Sequence, residues 1–183
     1  MRRCKGENAM IKLTAYEEEH KGKSVCFTGH RPQSLGKVKL DDLRLELSLL
    51  IQDAIEDGYD TFYCGMAMGT DIIAGELTAE LREHYPWIRL YAVVPFVQQT
   101  QSWPGEWVTR YRHLMQRADE TVILYPGYCK GGFLERDRYM VDRSGLLIGV
   151  YNDSPRGGTA YTVRYARKKG LEVKLLRPEE YKE

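Results

Sequence analysis

Three glycine-bearing segments of this 183-residue chain have the composition of anion-holding loops. They are Thr28-Gly29-His30-Arg31-Pro32, Gly65-Met66-Ala67-Met68-Gly69-Thr70-Asp71 and Ser154-Pro155-Arg156-Gly157-Gly158-Thr159. Glycine lets backbone N–H groups approach a ligand closely, and a helix starting beyond such a loop adds unpaired amides and a favourable dipole. Phosphate is the natural guest. Gly29, Gly65, Gly69, Gly157 and Gly158 are candidate backbone contacts, and Thr70 and Thr159 add hydroxyls. His30 can donate to phosphate or act as a base near neutral pH; its plainer role is that of a hydrogen-bonded loop residue. Arg31, kept extended by Pro32, can pair with an anion or face water. Asp71 can accept from ribose hydroxyls, as acidic residues do in other nucleotide sites, or cap a helix. The chain has neither G-x-x-x-x-G-K-[ST] nor G-x-G-x-x-G, which argues against a P-loop NTPase or a conventional dinucleotide dehydrogenase. H-E-x-x-H and G-x-S-x-G are also absent.

The segments between these loops alternate in period. Short apolar runs at Ser24–Thr28, Asp60–Cys64, Ile88–Val94, Thr121–Tyr125, Leu146–Tyr151 and Glu172–Leu176 read as strands, the third ended by Pro95. Helical spacing fills Asp41–Asp57, Ile72–His84, Trp103–Arg117, Phe133–Arg143 and Thr159–Lys169, with Asp41 as a cap and Gly58 and Gly170 as stops. Strands separated by helices of this length predict βαβ units: an α/β, Rossmann-like three-layer sandwich with a mostly parallel sheet and helices on both faces. Ligands of such sheets bind beyond the carboxyl ends of the strands, where all three loops fall. Residues 1–23 read as an extension, either mobile or adding an edge strand through Ile11, Leu13 and Ala15; residues 24–183 form the domain.

Net charge is +1, and without residues 1–23 the count is 21 basic against 22 acidic side chains. A dedicated duplex-DNA binder usually carries a basic excess, so that class is disfavoured. The four cysteines are scattered without a C-x-x-C pair, which favours neither a disulfide framework nor a zinc site and fits a reducing compartment. No metal site is expected. The N-terminus lacks the apolar run of a signal peptide and no segment approaches a membrane span, so a cytoplasmic protein without membrane contact is expected.

The order Thr28-Gly29-His30-Arg31-Pro32, Gly65-x-Ala67-x-Gly69-Thr70-Asp71, Arg136-x-x-x-Met140-Val141-Asp142 and Gly157-Gly158-Thr159 resembles the SLOG superfamily. Within that group, which includes the LOG phosphoribohydrolases and the DNA-processing protein DprA, it looks most like the YpsA-like branch. The similarity runs over roughly Ser24–Leu176. It implies a Rossmann-like fold that binds a nucleotide or nucleotide-derived ligand of the NAD or ADP-ribose kind, and by analogy a homo-oligomer. It names no cofactor and no catalytic residue. LOG enzymes carry an Arg-Lys-x-x-Met helix and a Gly-Gly-x-Gly-Thr-x-x-Glu loop. Here Arg136 and Met140 match, Asp137 stands at the lysine position, and Thr162 stands where the catalytic glutamate would fall. Threonine has no carboxylate to stabilise an oxocarbenium-like centre or activate water, so binding or sensing is the first reading. The alternatives are an N-glycosidic hydrolase using Asp71, Asp153 or Glu135, and a DprA-like single-strand DNA adaptor.

Arg136 is expected to contact the ligand. It shares a helix face with Tyr139, Met140 and Arg143 at i, i+3, i+4 and i+7, so burial of Met140 would draw it inward while Asp137 and Arg138 project elsewhere. The stripe Trp103, Trp107 and Tyr111 is expected to be core, and the cluster Arg164, Arg167, Lys168 and Lys169 a solvated helix end.

Overall fold

A computed structural model describes residues 12–35 and 38–181. Six strands, β1 (Ser24–Gly29), β2 (Thr61–Cys64), β3 (Arg89–Phe96), β4 (Glu120–Tyr125), β5 (Leu146–Val150) and β6 (Glu172–Leu176), form one sheet in the order β4-β3-β2-β1-β5-β6. Every neighbouring pair is parallel. Among the described residues seven α-helices connect or flank the strands: α1 (Ala15–His20), α2 (Pro32–Leu35), α3 (Leu40–Glu56), α4 (Thr70–Leu81), α5 (Gly105–Arg117), α6 (Gly132–Asp142) and α7 (Gly158–Lys169). The α/β, Rossmann-like architecture is the one expected from the alternation of periods.

Strand side chains alternate between two cores, as the pleat requires. Val25, Phe27, Phe62, Leu146 and Ile148 face α3, α4 and α5, where Leu47, Ile51, Ile73, Leu77 and Leu114 are buried. Cys26, Tyr63 and Leu147 face α6 and α7, against Tyr139, Met140, Val163 and Ala166. Trp107 is buried in the first core, with Trp103 and Tyr111 packed against it, as expected of that stripe. Arg164, Arg167, Lys168 and Lys169 are exposed, as expected of a solvated helix end.

Several local expectations are corrected. The alternation through Ile11, Leu13 and Ala15 does not give a strand at Ala15: Ile11 lies outside the described residues, and the chain from Ala15 is helical. Thr14 and Glu17 form a reciprocal capping box, in which Thr14 Oγ1 accepts from the Glu17 amide and Glu17 Oε2 from the Thr14 amide. Glu17 is buried, and its other oxygen accepts from Arg143 Nε (2.7 Å) and the Tyr139 hydroxyl (3.0 Å), which ties α1 to α6. Strand β3 runs past Pro95, because the β3–β4 register pairs Val94 and Phe96 and passes over the residue that lacks an N–H. Helix α3 is entered from Lys39 without a side-chain cap, and Asp41 lies in its first turn. Cys26 and Cys64 are buried free thiols, whereas Cys129 is disulfide-bonded, which its spacing did not foretell. Among the described residues no helix is long and apolar enough to cross a membrane.

Candidate functional site

The chain leaves β1 in one direction across the sheet through β2, β3 and β4, then returns to place β5 on the other side of β1. Adjacent strands whose connections depart in opposite directions leave a crevice at their carboxyl ends. A cleft of about 540 Å³ lies there, lined by the loops after β1 and β5, the starts of α4, α6 and α7, and part of α2. Of the residues singled out in the sequence, Gly29, His30, Arg31, Asp71, Arg136, Gly157, Gly158 and Thr159 line it. Gly65, Gly69 and Thr70 do not; they set its shape.

The shaping is steric. At Gly69, where φ is +93°, a Cβ would stand 2.5 Å from the His30 carbonyl oxygen, so only glycine brings the second loop against the first. The Thr70 amide and hydroxyl both donate to that carbonyl at 3.2 Å, and the Thr70 side chain covers the space a Gly29 side chain would need. Across the crevice, the Thr159 hydroxyl donates to the Gly29 carbonyl (2.9 Å), and the Asn152 amide donates to His30 Nε2 (3.1 Å). The ends of β1, α4 and α7 are thus drawn together.

His30 accepts through Nε2, so that nitrogen holds the β5 loop and is not a free base. Burial lowers its pKa, which keeps the ring neutral near pH 7. Helix α7 opens at Gly157, φ +112°, with no side chain capping it. Its first residues border the cleft, and among the described residues no side chain caps their amides. Thr159, one position into the helix, is not the cap; its hydroxyl is spent on Gly29. Arg31 is exposed at the rim, and Arg156 also lines the cleft.

The floor carries charge that has been taken out of water. Arg136 is 7% exposed; Nε and Nη2 donate to Asp137 Oδ1 (3.0 and 2.7 Å), and Nη1 to the Gly65 carbonyl (2.8 Å). Met140 is buried and Arg136 is drawn inward with it, as the helix face implied, but three of its donors are engaged by the protein itself. Asp137 does not project elsewhere. It is buried and lines the cleft because it serves Arg136 on one oxygen and the Thr162 hydroxyl (3.0 Å) on the other. That hydroxyl also lies 2.9 Å from the Gly158 carbonyl, its single proton serving one acceptor at a time.

Asp71 is 4% exposed, and among the described residues its side chain has one hydrogen bond, a long one from the Ala67 amide (3.4 Å to Oδ2). Burial pushes it up to about 6; the Arg136 cation opposes the rise and Asp137 adds to it. Gly65 makes the room: a Cβ there would stand 2.6 Å from Asp71 Oδ2 and 2.9 Å from Arg136 Nε. Asp71 is not the helix cap, a place taken by Gly69. Of the other acids considered for hydrolysis, Glu135 pairs with Arg138 (2.8 Å) and Asp153 with Arg177 (3.1 Å), and neither lines the cleft.

Of the wall residues that the sequence did not single out, two bear on the chemistry of the cleft. Phe133 stands on the first turn of α6, with the guanidinium carbons of Arg31 and Arg136 at 6.0 and 5.7 Å from its ring centre. Its one signal is its place directly after Gly131-Gly132, at a helix start among charged residues. Asp137 had no signal except its position beside Arg136.

A family model described as the YspA SLOG family matches residues 25–180. A UPF0398 protein of Bacillus pumilus (strain SAFR-032) is 26% identical over 151 residues, covering 79% of this chain and 81% of that protein. A UPF0398 protein of Bacillus cereus (strain G9842) is 24% identical over 155 residues, covering 81% of this chain and 84% of that protein. Among solved structures, the X-ray structure of DNA processing protein A (DprA) from Streptococcus pneumoniae superposes with a TM-score of 0.54 at 18% identity. The match covers 83% of this chain but 49% of that one, and it is a likeness of fold.

Proposed function

This chain belongs to the YspA SLOG family, and we propose that its cleft binds a nucleotide or nucleotide-derived ligand of the NAD or ADP-ribose kind, as a binding or sensing module. One observation carries the reading. The uncapped start of α7 faces a cleft that also presents Arg31 and Arg156 and holds an under-partnered carboxylate, Asp71, on its floor. Backbone amides at a helix start suit a phosphate, the rim arginines suit the same charge, and Phe133 offers an aromatic wall for a base. The volume, about 540 Å³, lies within the range of small-molecule sites.

Mass spectrometry of small molecules released from natively purified protein tests this directly. The expected result is a phosphorylated ribosyl compound in stoichiometric amount, and calorimetric binding of that compound to the stripped protein. Stripped protein that binds none of AMP, NAD or ADP-ribose at millimolar concentration would overturn the reading.

A second reading has one observation in its favour. The carboxylate missing at Thr162 is supplied beside it by Asp137, 3.0 Å from the Thr162 hydroxyl. A hydrolase of N-glycosidic bonds would release free base from nucleoside 5′-monophosphates, and we expect none at enzymatic rates, because Asp137 is already bound to Arg136. Release that disappears in Asp137→Asn would replace the binding module with an enzyme. Binding of single-stranded oligonucleotides that weakens steeply with salt would instead favour a DNA adaptor.

A further inference from the structure

We propose that Asp71 accepts the sugar hydroxyls of the ligand, which makes the cleft selective for ribose over 2′-deoxyribose compounds. The inference rests on the reading of a phosphorylated nucleoside ligand and adds which sugar it carries and what reads it.

The starting point is a carboxylate whose partners do not account for it. An ionised carboxylate offers about four acceptor positions, and buried polar groups are ordinarily satisfied. Among the described residues Asp71 receives one long backbone contact, 3.4 Å from Ala67, and forms no ion pair. The nearby guanidinium of Arg136 is turned to Asp137 and Gly65 instead. The carboxylate nevertheless lines the cleft, and the missing Gly65 side chain leaves the room that Asp71 and Arg136 take up. Such an arrangement is costly unless something in the cleft donates to it.

The position selects the donor. The start of α7 is bonded to Gly29 through Thr159, Thr70 packs on that same glycine, and Asp71 is the next residue. The phosphate seat and Asp71 therefore stand on elements that meet at one point. In a nucleoside 5′-phosphate the group joined to the phosphate by a single methylene is the ribose, so its hydroxyls are the donors that reach Asp71 first. A metal ion is a poorer occupant, since among the described residues no group of three or more His, Cys, Asp or Glu is placed to hold one.

The charge state of this acceptor depends on what surrounds it. From α6 it is faced by Arg136 and Asp137, from the β1 loop by Arg31, and from β2 and β1 by the thiols of Cys64 and Cys26. Burial raises both thiols so that they stay neutral, and His30 on the same wall is held neutral near pH 7. Asp71 itself titrates near 6. It is ionised at pH 7.5 and takes up a proton as the pH falls through that value, so its hold on a diol weakens in the same direction.

The test is calorimetric titration of the full chain with AMP against 2′-deoxy-AMP and GMP against 2′-deoxy-GMP, at pH 7.5 and 5.0. Wild-type protein should prefer each ribonucleotide by roughly tenfold or more, the effect of one hydrogen bond to a charged acceptor, and the preference should shrink at pH 5.0. Asp71→Asn should bind all four with the affinity the wild type shows for the deoxy compounds at the same pH, so that its ribose preference is lost at both pH values. Equal binding of the ribo and deoxy members by wild-type protein would overturn the assignment of Asp71 while leaving the phosphate seat intact. Failure of all four compounds to bind would overturn the assignment of Asp71, and failure of NAD and ADP-ribose as well would overturn the ligand reading with it.

Discussion

Replacing Asp71 with asparagine should make the protein more stable at neutral pH, in the same change that removes its acceptor. The carboxyl titrates at about 6 instead of the ordinary 3.8, and about 1.4 kcal/mol attaches to each pH unit of such a difference. Above pH 6 the folded state therefore carries roughly 3 kcal/mol of destabilisation from this one buried group. The sign follows from proton binding: the folded protein holds the Asp71 proton more tightly than the unfolded chain, so the cost is complete above about 6 and vanishes as the pH falls toward 4. Asparagine keeps the shape and carries no charge, but leaves an amide donor facing the cleft, which returns about 1 kcal/mol of the gain. The net gain of about 2 kcal/mol corresponds to a rise of roughly 4–8 °C in Tm for a chain of this length. Calorimetric unfolding of both proteins at pH 7.5 and pH 4.5 measures it, and groups common to the two cancel in the difference. The variant should gain at pH 7.5 and lose most of that advantage at pH 4.5. No gain at pH 7.5, or a gain that does not change with pH, would refute the view that Asp71 is held in a strained charge state for a ligand.

Three other outcomes follow from the same contacts. Arg136→Ala should cost about 3–5 kcal/mol in urea unfolding, because it strands the buried Asp137, whereas Arg138→Ala, with a half-exposed ion pair, should cost less than about 1 kcal/mol. Gly69→Ala should lower stability by at least about 1–3 kcal/mol, since alanine is strained at φ +93° and its Cβ would meet the His30 carbonyl at 2.5 Å; equal thermal unfolding would count against that packing. Burial raises the Glu17 carboxyl, but the Thr14 amide and Arg143 outweigh it and hold the group below its ordinary value. Glu17→Gln should therefore be less stable than wild type at neutral pH, the deficit closing as acid protonates Glu17; a deficit constant with pH would mean that charge is not what ties α1 to α6.

The fold was legible because its signals are local and repeated. Each strand announces itself as an apolar run, each helix by its spacing, and Gly58 and Gly170 stop their helices with the left-handed backbone that glycine allows. The three loops could be placed on one edge from strand order alone, since a parallel sheet puts every strand-to-helix turn at the same end. Where local signals compete, the stronger one is not evident from the sequence. The alternation at Ile11, Leu13 and Ala15 left an edge strand or a mobile tail open, while the Thr14-x-x-Glu17 box makes a helix from Ala15. Pro95 read as an end, although the register merely passes over it.

The site was legible as a set of loops but not as a distribution of charge. Nothing in the sequence says that Asp137 turns inward beside Arg136, because helical spacing places the two about 100° apart and only the packing of α6 on α7 brings Thr162 within reach of Asp137. Nor does it say that Arg136 is engaged while Asp71 is not. That division depends on which of two buried carboxylates lies against the guanidinium, a matter of a few ångströms between elements 66 residues apart along the chain. Residue types and their order are sequence properties and determined the family, the sheet and the phosphate-suited loops. Partner choice among buried charges is decided by distance and desolvation, and those exist only once the chain has folded.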